Sequence, residues 1–199
     1  MRKNTTSKTI IGIDYGSKLA GTSVIARAEN GKVQFAQSRK NKDADQFILD
    51  QLAPESPLVI FLDAPLSLPD AYFGRGEDYF YRSADRALKT MSPMFLGGLT
   101  ARAMRLKQEL IERGHQVVEA YPAGLARHIG LPKDQYKKQK IHLPAVLKLL
   151  TNQIPIKFVK SDLITWHHVD ALLACWTGLR YYKGEAESFG NEEEGKIWI

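Results

Sequence analysis

Four carboxylic acids stand where the surrounding pattern leads one to expect apolar side chains. Asp14 ends the run Ile10-Ile11-Gly12-Ile13, Asp63 ends Leu58-Val59-Ile60-Phe61-Leu62, Glu119 follows Val117-Val118, and Asp170 sits among Val169, Ala171, Leu172 and Leu173. A buried carboxylate without a partner costs several kcal/mol, so four of them in one chain point to something shared. A divalent metal ion is the economical partner, because neighbouring carboxylates otherwise repel and one is driven to its protonated form. Oxygen-only donors favour Mg²⁺, or Mn²⁺ in its place. Two such ions between shared carboxylates activate a water and stabilise the leaving oxygen of a phosphodiester, which is the chemistry of metal-dependent nucleases.

Each acid also has a plainer role open to it. Asp14 before Tyr-Gly-Ser can brace its own turn, and Asp63 before Ala-Pro can cap the next segment. Asp170 has the weakest plain explanation, since a mid-helix aspartate amid apolar neighbours has poor propensity and nothing local to cap. Glu119 either joins the metal ligands or pairs with a basic residue such as Arg82 or Arg102. His167, three residues before Asp170, is a candidate general base or support for the ligands; the competing role is structural, and His168 faces elsewhere. Lys18, in the turn after Asp14, either meets the scissile phosphate or is solvated. Arg82, Asp85 and Arg86 read as an ion-paired helix first and a substrate clamp second.

Positioning these residues takes strands that end together and a helix that reaches their edge. Strands are predicted near 9–14, 19–27 and 32–38, joined by turns at Gly16-Ser17-Lys18 and Glu29-Asn30-Gly31, hence an antiparallel meander. A helix over 43–52 then leads to a buried strand at 57–63. If the first and fourth strands pair in parallel, Asp14 and Asp63 leave the sheet at one edge. Residues 64–95 are irregular, rich in Tyr and Phe, with a short helix over 82–89; so long a segment is more often functional than connective. Leu99, Ala103, Leu106 and Leu110 mark a helix stopped by Gly114, followed by a strand at 116–121 that Pro122 ends. Further helices are expected over 143–152 and from Ser161 or Asp162 to Tyr182, the latter carrying His167, Asp170 and Leu173 on one face. This is an α/β order, a mixed five-stranded sheet of a three-strand meander plus two parallel strands flanked by helices, and it matches the ribonuclease H-like fold.

The 199 residues are read as one domain, 1–199, with an insert around 64–95 and an acidic tail at 183–199. With 44% hydrophobic and 25% charged residues, the composition suits a globular chain with a sizeable core. The single cysteine, Cys175, rules out an internal disulfide and a cysteine metal site, and its apolar helical setting assigns it to the core. Arg2, Lys3 and Lys8 precede an apolar run too short for a signal or membrane segment, so the expectation is cytoplasmic. Residues 133–160 hold seven lysines against Asp134 alone, a local excess of +6 that equals the net charge of the chain. A lysine-rich surface beside an acidic metal pocket suits a polyanion, and nucleic acid is the expected partner, with Lys137, Lys138 and Lys140 on phosphates and Tyr136 stacking. A solvated face is the alternative. Trp198 and Ile199 are expected to pack the tail onto the body.

Ile11-Gly12-Ile13-Asp14-Tyr15-Gly16-Ser17-Lys18 with Gly21 resembles the first hairpin of ribonuclease H-like nucleases, the Holliday-junction resolvase-like proteins of bacteria among them. More of the chain is similar to a narrower group. Asp63-Ala64-Pro65, Arg82-Ser83-Ala84-Asp85-Arg86, Glu119-Ala120-Tyr121-Pro122-Ala123, Tyr136-Lys137, His167-His168-Val169-Asp170-Ala171 and Glu194-Gly195-Lys196-Ile197-Trp198 resemble domain-of-unknown-function family 429, predicted ribonuclease H-like nucleases. The resemblance spans nearly the whole chain and implies that fold and a nuclease chemistry, without a particular substrate.

Two other functions compete. Gly-Ile-Asp-Tyr-Gly-Ser also resembles the first phosphate loop of actin-like kinases, but a second Asp-Gly-rich loop is not found in 199 residues. No Gly-x-Gly-x-x-Gly follows the first strand, which counts against a dinucleotide fold. A non-catalytic nucleic-acid-binding module on the same scaffold is the third reading, and intact acids at all four positions count against it. DNA or RNA, and monomer or homodimer, stay open.

Overall fold

The structure, a computed structural model, describes residues 9–53 and 57–199. The basic residues Arg2, Lys3 and Lys8 lie outside the described residues. Strands β1 (Ile10–Asp14), β2 (Val24–Glu29) and β3 (Lys32–Gln37) form the expected antiparallel meander. Asn30 and Gly31 both take positive φ, 49° and 76°, the turn whose twist matches the strands it joins. β2 begins five residues later than its sequence suggests, because 18–21 instead fold back on the next segment through Asn41 N–H to Leu19 O (2.8 Å) and Ala44 N–H to Lys18 O (2.9 Å).

Helix α1 (Ala44–Leu52), capped by Asp43 on the N–H groups of Asp45 and Gln46, carries the chain back to β4 (Val59–Asp63). β4 lies parallel to β1 in register from Ile10↔Val59 to Asp14↔Asp63. Next come a 3₁₀ turn at Asp70–Phe73 and the short helices α2 (Ser83–Leu88) and α3 (Pro93–Leu96). Helix α4 (Gly98–Glu112) then leads into strand β5 (Gln116–Ala120). Pro122 ends β5 as expected but also opens α5 (Pro122–His128), an unanticipated helix; proline at a first helical position gives up an N–H that has no intrahelical partner anyway. Then follow α6 (Leu143–Gln153) and α7 (Trp166–Lys183), which starts later than Ser161 because 160–162 form a separate 3₁₀ turn.

The acidic tail corrects the five-stranded expectation. It folds into a hairpin of β6 (Ser188–Asn191) and β7 (Gly195–Trp198), and β7 pairs in parallel with β5. The sheet therefore has seven strands in the order β3-β2-β1-β4-β5-β7-β6, flanked by helices, an α/β architecture. Two strands of four residues around three consecutive glutamates are too short and too polar to announce themselves by alternation. Trp198 packs its ring 4.8 Å from that of Tyr181 and Ile199 is buried, as expected of packing residues.

Side chains alternate across the sheet. Ile11, Ile13, Ile60 and Leu62 face α1 and α4, joining Ile48, Leu52, Leu106 and Leu110, whereas Ile10 and Phe61 face the other core with Leu125, Val146 and Leu172. On that second side α7 lies on β1 at backbone distance. A Cβ placed on Gly12 would stand 2.1 Å from the Cys175 nitrogen and 2.4 Å from the Ala171 oxygen, and one on Gly178 would strike Ile10 and Phe61. Cys175 is buried core, as its setting implied. Among the described residues no helix is long and apolar enough to cross a membrane.

Because the Gly12 neighbours are backbone atoms, they cannot turn aside. Gly12→Ala should cost about 3 kcal/mol or more through overpacking, read as a lowered urea midpoint by circular dichroism. An unchanged midpoint would show that α7 does not sit on Gly12.

Candidate metal centre

Asp14 and Asp63 are the last residues of two parallel strands and are direct register partners. Each continues the alternation of its strand, Asp14 after Ile10 and Gly12 and Asp63 after Val59 and Phe61, so both side chains leave the sheet toward α7. The glycine seat brings the first turns of α7 onto the same edge, where Asp170 is almost wholly buried. One oxygen from each of Asp14, Asp63 and Asp170 lies within 4.8 Å of the others. His167 Nδ1 is 2.8 Å from Asp14 Oδ2. The Tyr136 hydroxyl donates to Asp170 Oδ1, and Lys137 Nζ is 2.5 Å from Asp170 Oδ2. Asp63 accepts no side-chain hydrogen bond among the described residues.

The electrostatics follow from this crowding. Burial, then the charges of Asp14 and Asp170, push Asp63 well above the ordinary carboxylate range. Burial pushes Asp170 up to about 6 against the opposing pull of Lys137. The hydrogen bond to Asp14 raises His167 above its usual value, and burial is outweighed. Lys137 is also raised, its burial overcome by the charges of Asp170 and Asp63.

Glu119 lines the same cleft as Asp14 and Asp63 but is not among the three acids that meet. The β4–β5 register pairs it with Leu62, one residue short of Asp63, so its side chain leaves the opposite face of the sheet. Of its two open partners it takes the arginine. Arg82 is fully buried and places all five donors: Nη1 on Glu119 Oε2 (2.7 Å) and Ser67 Oγ (2.8 Å), Nη2 on Glu119 Oε1 (2.7 Å) and Asp85 Oδ1 (2.8 Å), Nε on Asp85 Oδ2 (3.0 Å). Burial opposes the charge on Arg82, but Glu119 and Asp85 outweigh it and hold the pKa raised. Arg82 is thus the ion-paired residue of its first reading and, fully buried, is not exposed as a substrate contact, while Glu119 takes the arginine pairing of its two alternatives.

The remaining candidates divide. Lys18 pairs with Asp43 at 3.0 Å on the surface and is not brought to the acids. Lys138 and Lys140 are exposed, on the segment that Tyr136 and Lys137 anchor to Asp170. Tyr136 is not free to stack: its hydroxyl is on Asp170 and its ring meets Trp166 edge-on at 5.9 Å. His168 is a packing residue, bonded to Thr165 Oγ1 and tilted on Phe35, with its pKa lowered by burial. Glu194, singled out in the sequence only as part of the terminal motif and given no role there, accepts from Asp70 N–H (3.0 Å), Ser83 N–H (2.7 Å) and Ser83 Oγ (2.7 Å) and so staples the C-terminal hairpin to the 64–95 insert. Sequence reasoning missed Met91 and Leu96, which line a cleft of about 280 Å³ with Asp14, Asp63, Glu119 and Lys137. Neither carries a signal that composition or spacing could reveal.

No protein-family model and no curated protein matches the chain.

Carboxylates crowded and buried in this way have a pH signature. Asp170 titrates near 3.9 when unfolded and at about 6 when folded, so between those values the folded chain holds a proton that the unfolded chain has released. Metal-free stability should therefore fall by about 3 kcal/mol as pH rises from about 4 to about 6. Asp170→Asn should flatten that limb without a large loss, because the freed Lys137 ammonium, 43% exposed, turns to water. Above pH 6, Mn²⁺ should stabilise the native chain far more than the variant. Urea midpoints across pH, with and without Mn²⁺, check both outcomes; a large metal-independent loss in Asp170→Asn would remove Asp170 from the ligand set.

Proposed function

We propose that this chain is a metal-dependent phosphodiesterase acting on nucleic acid, on a scaffold of the ribonuclease H-like kind. The observation that carries the reading is the meeting of Asp14, Asp63 and Asp170 within 4.8 Å at one sheet edge, with no side-chain donor on Asp63 among the described residues. Asp63 and Asp170, raised first by burial and then by neighbouring negative charge, form an arrangement that a hard cation relieves. The scaffold reading is supported by an antiparallel β3-β2-β1 followed by parallel β4 and β5, with the third acid carried on a helix over β1.

Asp14, Asp63 and Asp170 would hold the ion, Mg²⁺ or Mn²⁺; Glu119 would not, being held by Arg82. When bound, such an ion supplies Lewis acidity toward a phosphoryl oxygen and lowers the pKa of a bound water. His167, half-buried beside Asp14, orients that carboxylate and is placed to hold a proton at Nδ1. Lys137 keeps an ammonium on the cleft wall, available to a phosphate when it releases Asp170. Lys133, Lys138 and Lys140, all exposed beside it, extend the positive surface along which a polyanion would lie.

Mg²⁺- or Mn²⁺-dependent cleavage of mixed radiolabelled DNA and RNA should fall by at least about a hundredfold in Asp14→Asn, since even outer partners of metal ligands cost up to that much. The melting curve should remain cooperative. Equal cleavage by both proteins would overturn the assignment.

Charge reversal of Lys138 and Lys140 should weaken nucleic-acid binding for all sequences and reduce the slope of log affinity against log salt by about one for each phosphate no longer neutralised. A filter-binding titration at several salt concentrations measures it, and an unchanged slope would place the binding face elsewhere.

A further inference from the structure

The insert between β4 and α4 leaves large aromatic side chains in water. Phe80 is 53% exposed, Phe95 66% and Met91 61%, with Tyr72, Phe73 and Tyr79 exposed nearby. The Phe80 and Phe95 rings lie 5.7 Å apart at 36°, and Tyr81 abuts Phe95 edge-on at 6.2 Å. Arginines already cover two neighbouring rings, Arg75 over Phe73 and Arg86 over Tyr81. Among the described residues no cation covers Phe80 or Phe95. Large apolar side chains exposed as a group mark a contact surface.

The backbone segments that carry these rings are tied together. Ser92 Oγ donates to the Phe80 carbonyl and caps α3 through Met94 N–H, fixing the two ring-bearing segments to each other. Arg82 and Glu194 tie the base of the insert to β5 and to the C-terminal hairpin. A platform fixed before its ligand arrives loses little entropy on binding.

Its position joins it to the acids. Met91 and Leu96, which flank this aromatic group in sequence, line the same cleft as Asp14, Asp63 and Lys137. We propose that Phe80, Phe95 and Met91 form a stacking platform for unpaired bases of a single-stranded nucleic acid whose phosphates are gathered by Lys137 and Lys138. The π-faces of bases inside a duplex are covered by their neighbours, so open aromatic faces beside a cleft select strands whose bases are unstacked. The phosphate side is supplied by the exposed lysines, the base side by rings without charge, and the segment 70–95 itself is charge-balanced. The choice of a nucleic acid rests on the phosphodiesterase reading; the stacking surface does not.

The experiment is fluorescence anisotropy with short fluorescein-labelled DNA and RNA, single-stranded and duplex, in EDTA and in Mn²⁺. Phe80→Ala and Phe95→Ala should each weaken single-strand binding roughly 5- to 150-fold, the range expected for removal of one base stack. Duplex binding and melting temperature should be unchanged, and Phe95→Trp should restore affinity. Unchanged single-strand affinity in both alanine variants, or a wild-type preference for duplex, overturns the proposal. So does a wild-type dimer that the alanine variants dissociate in sedimentation, which would make the rings a contact between copies. Cleavage that survives while the rings prove indifferent rejects the platform alone. Ring-dependent binding without Asp14-dependent cleavage rejects the enzymatic reading alone.

Discussion

The close approach of α7 to β1 over Gly12 is the constraint on which the site depends. A helix normally stands off a sheet by the depth of its side chains, but here the backbone at Ala171 and Cys175 comes where a Cβ on residue 12 would be. Gly178 adds a second close seat, where the side chains of Ile10 and Phe61 reach the helix backbone. With the helix so close, a side chain as short as aspartate at position 170 reaches the end of a strand. A longer separation would leave Asp170 in apolar surroundings with no partner, at a cost the helix could not sustain.

The acids of this chain are handled in two physically different ways. Glu119 and Asp85 share one fully buried guanidinium whose five donors are all used, a closed network that ties the insert to β5. Among the described residues Asp14, Asp63 and Asp170 have less compensation, one lysine, one tyrosine hydroxyl and one histidine between them, and none of these on Asp63. Like charges at that spacing raise one another's affinity for a proton or a cation. The first arrangement spends its charge on rigidity, and the second keeps it available. They are neighbours because the Arg82 network also fixes the aromatic insert that walls the cleft.

Several elements were legible for identifiable reasons. The meander could be read because Asn30-Gly31 admits the positive φ its hairpin needs, and the parallel β1–β4 pair because a helix of crossover length separates two apolar runs. α5, β6 and β7 were not, since a proline that ends a strand can equally begin a helix, and four-residue strands flanked by glutamates leave no period to detect. Among site residues, the approach of Asp14 and Asp63 could be inferred from their strand-end positions. The partners of Lys18, Lys137 and Tyr136 could not, because each side chain is long enough to serve several neighbours and only the fold says which are near.

That acids sit inside apolar segments follows from local patterning alone: a run of β-branched and apolar residues is buried wherever the chain folds, and an acid at its end is carried with it. Which acids meet was decided only by tertiary structure. Strand alternation has a period of two, so a register shift of one residue moves a side chain to the other face. Pairing Leu62 with Glu119 sent that carboxylate to Arg82, whereas pairing Asp14 with Asp63 kept those two together. Register is a relation between distant segments, set by the packing of whole faces, and no single segment contains it.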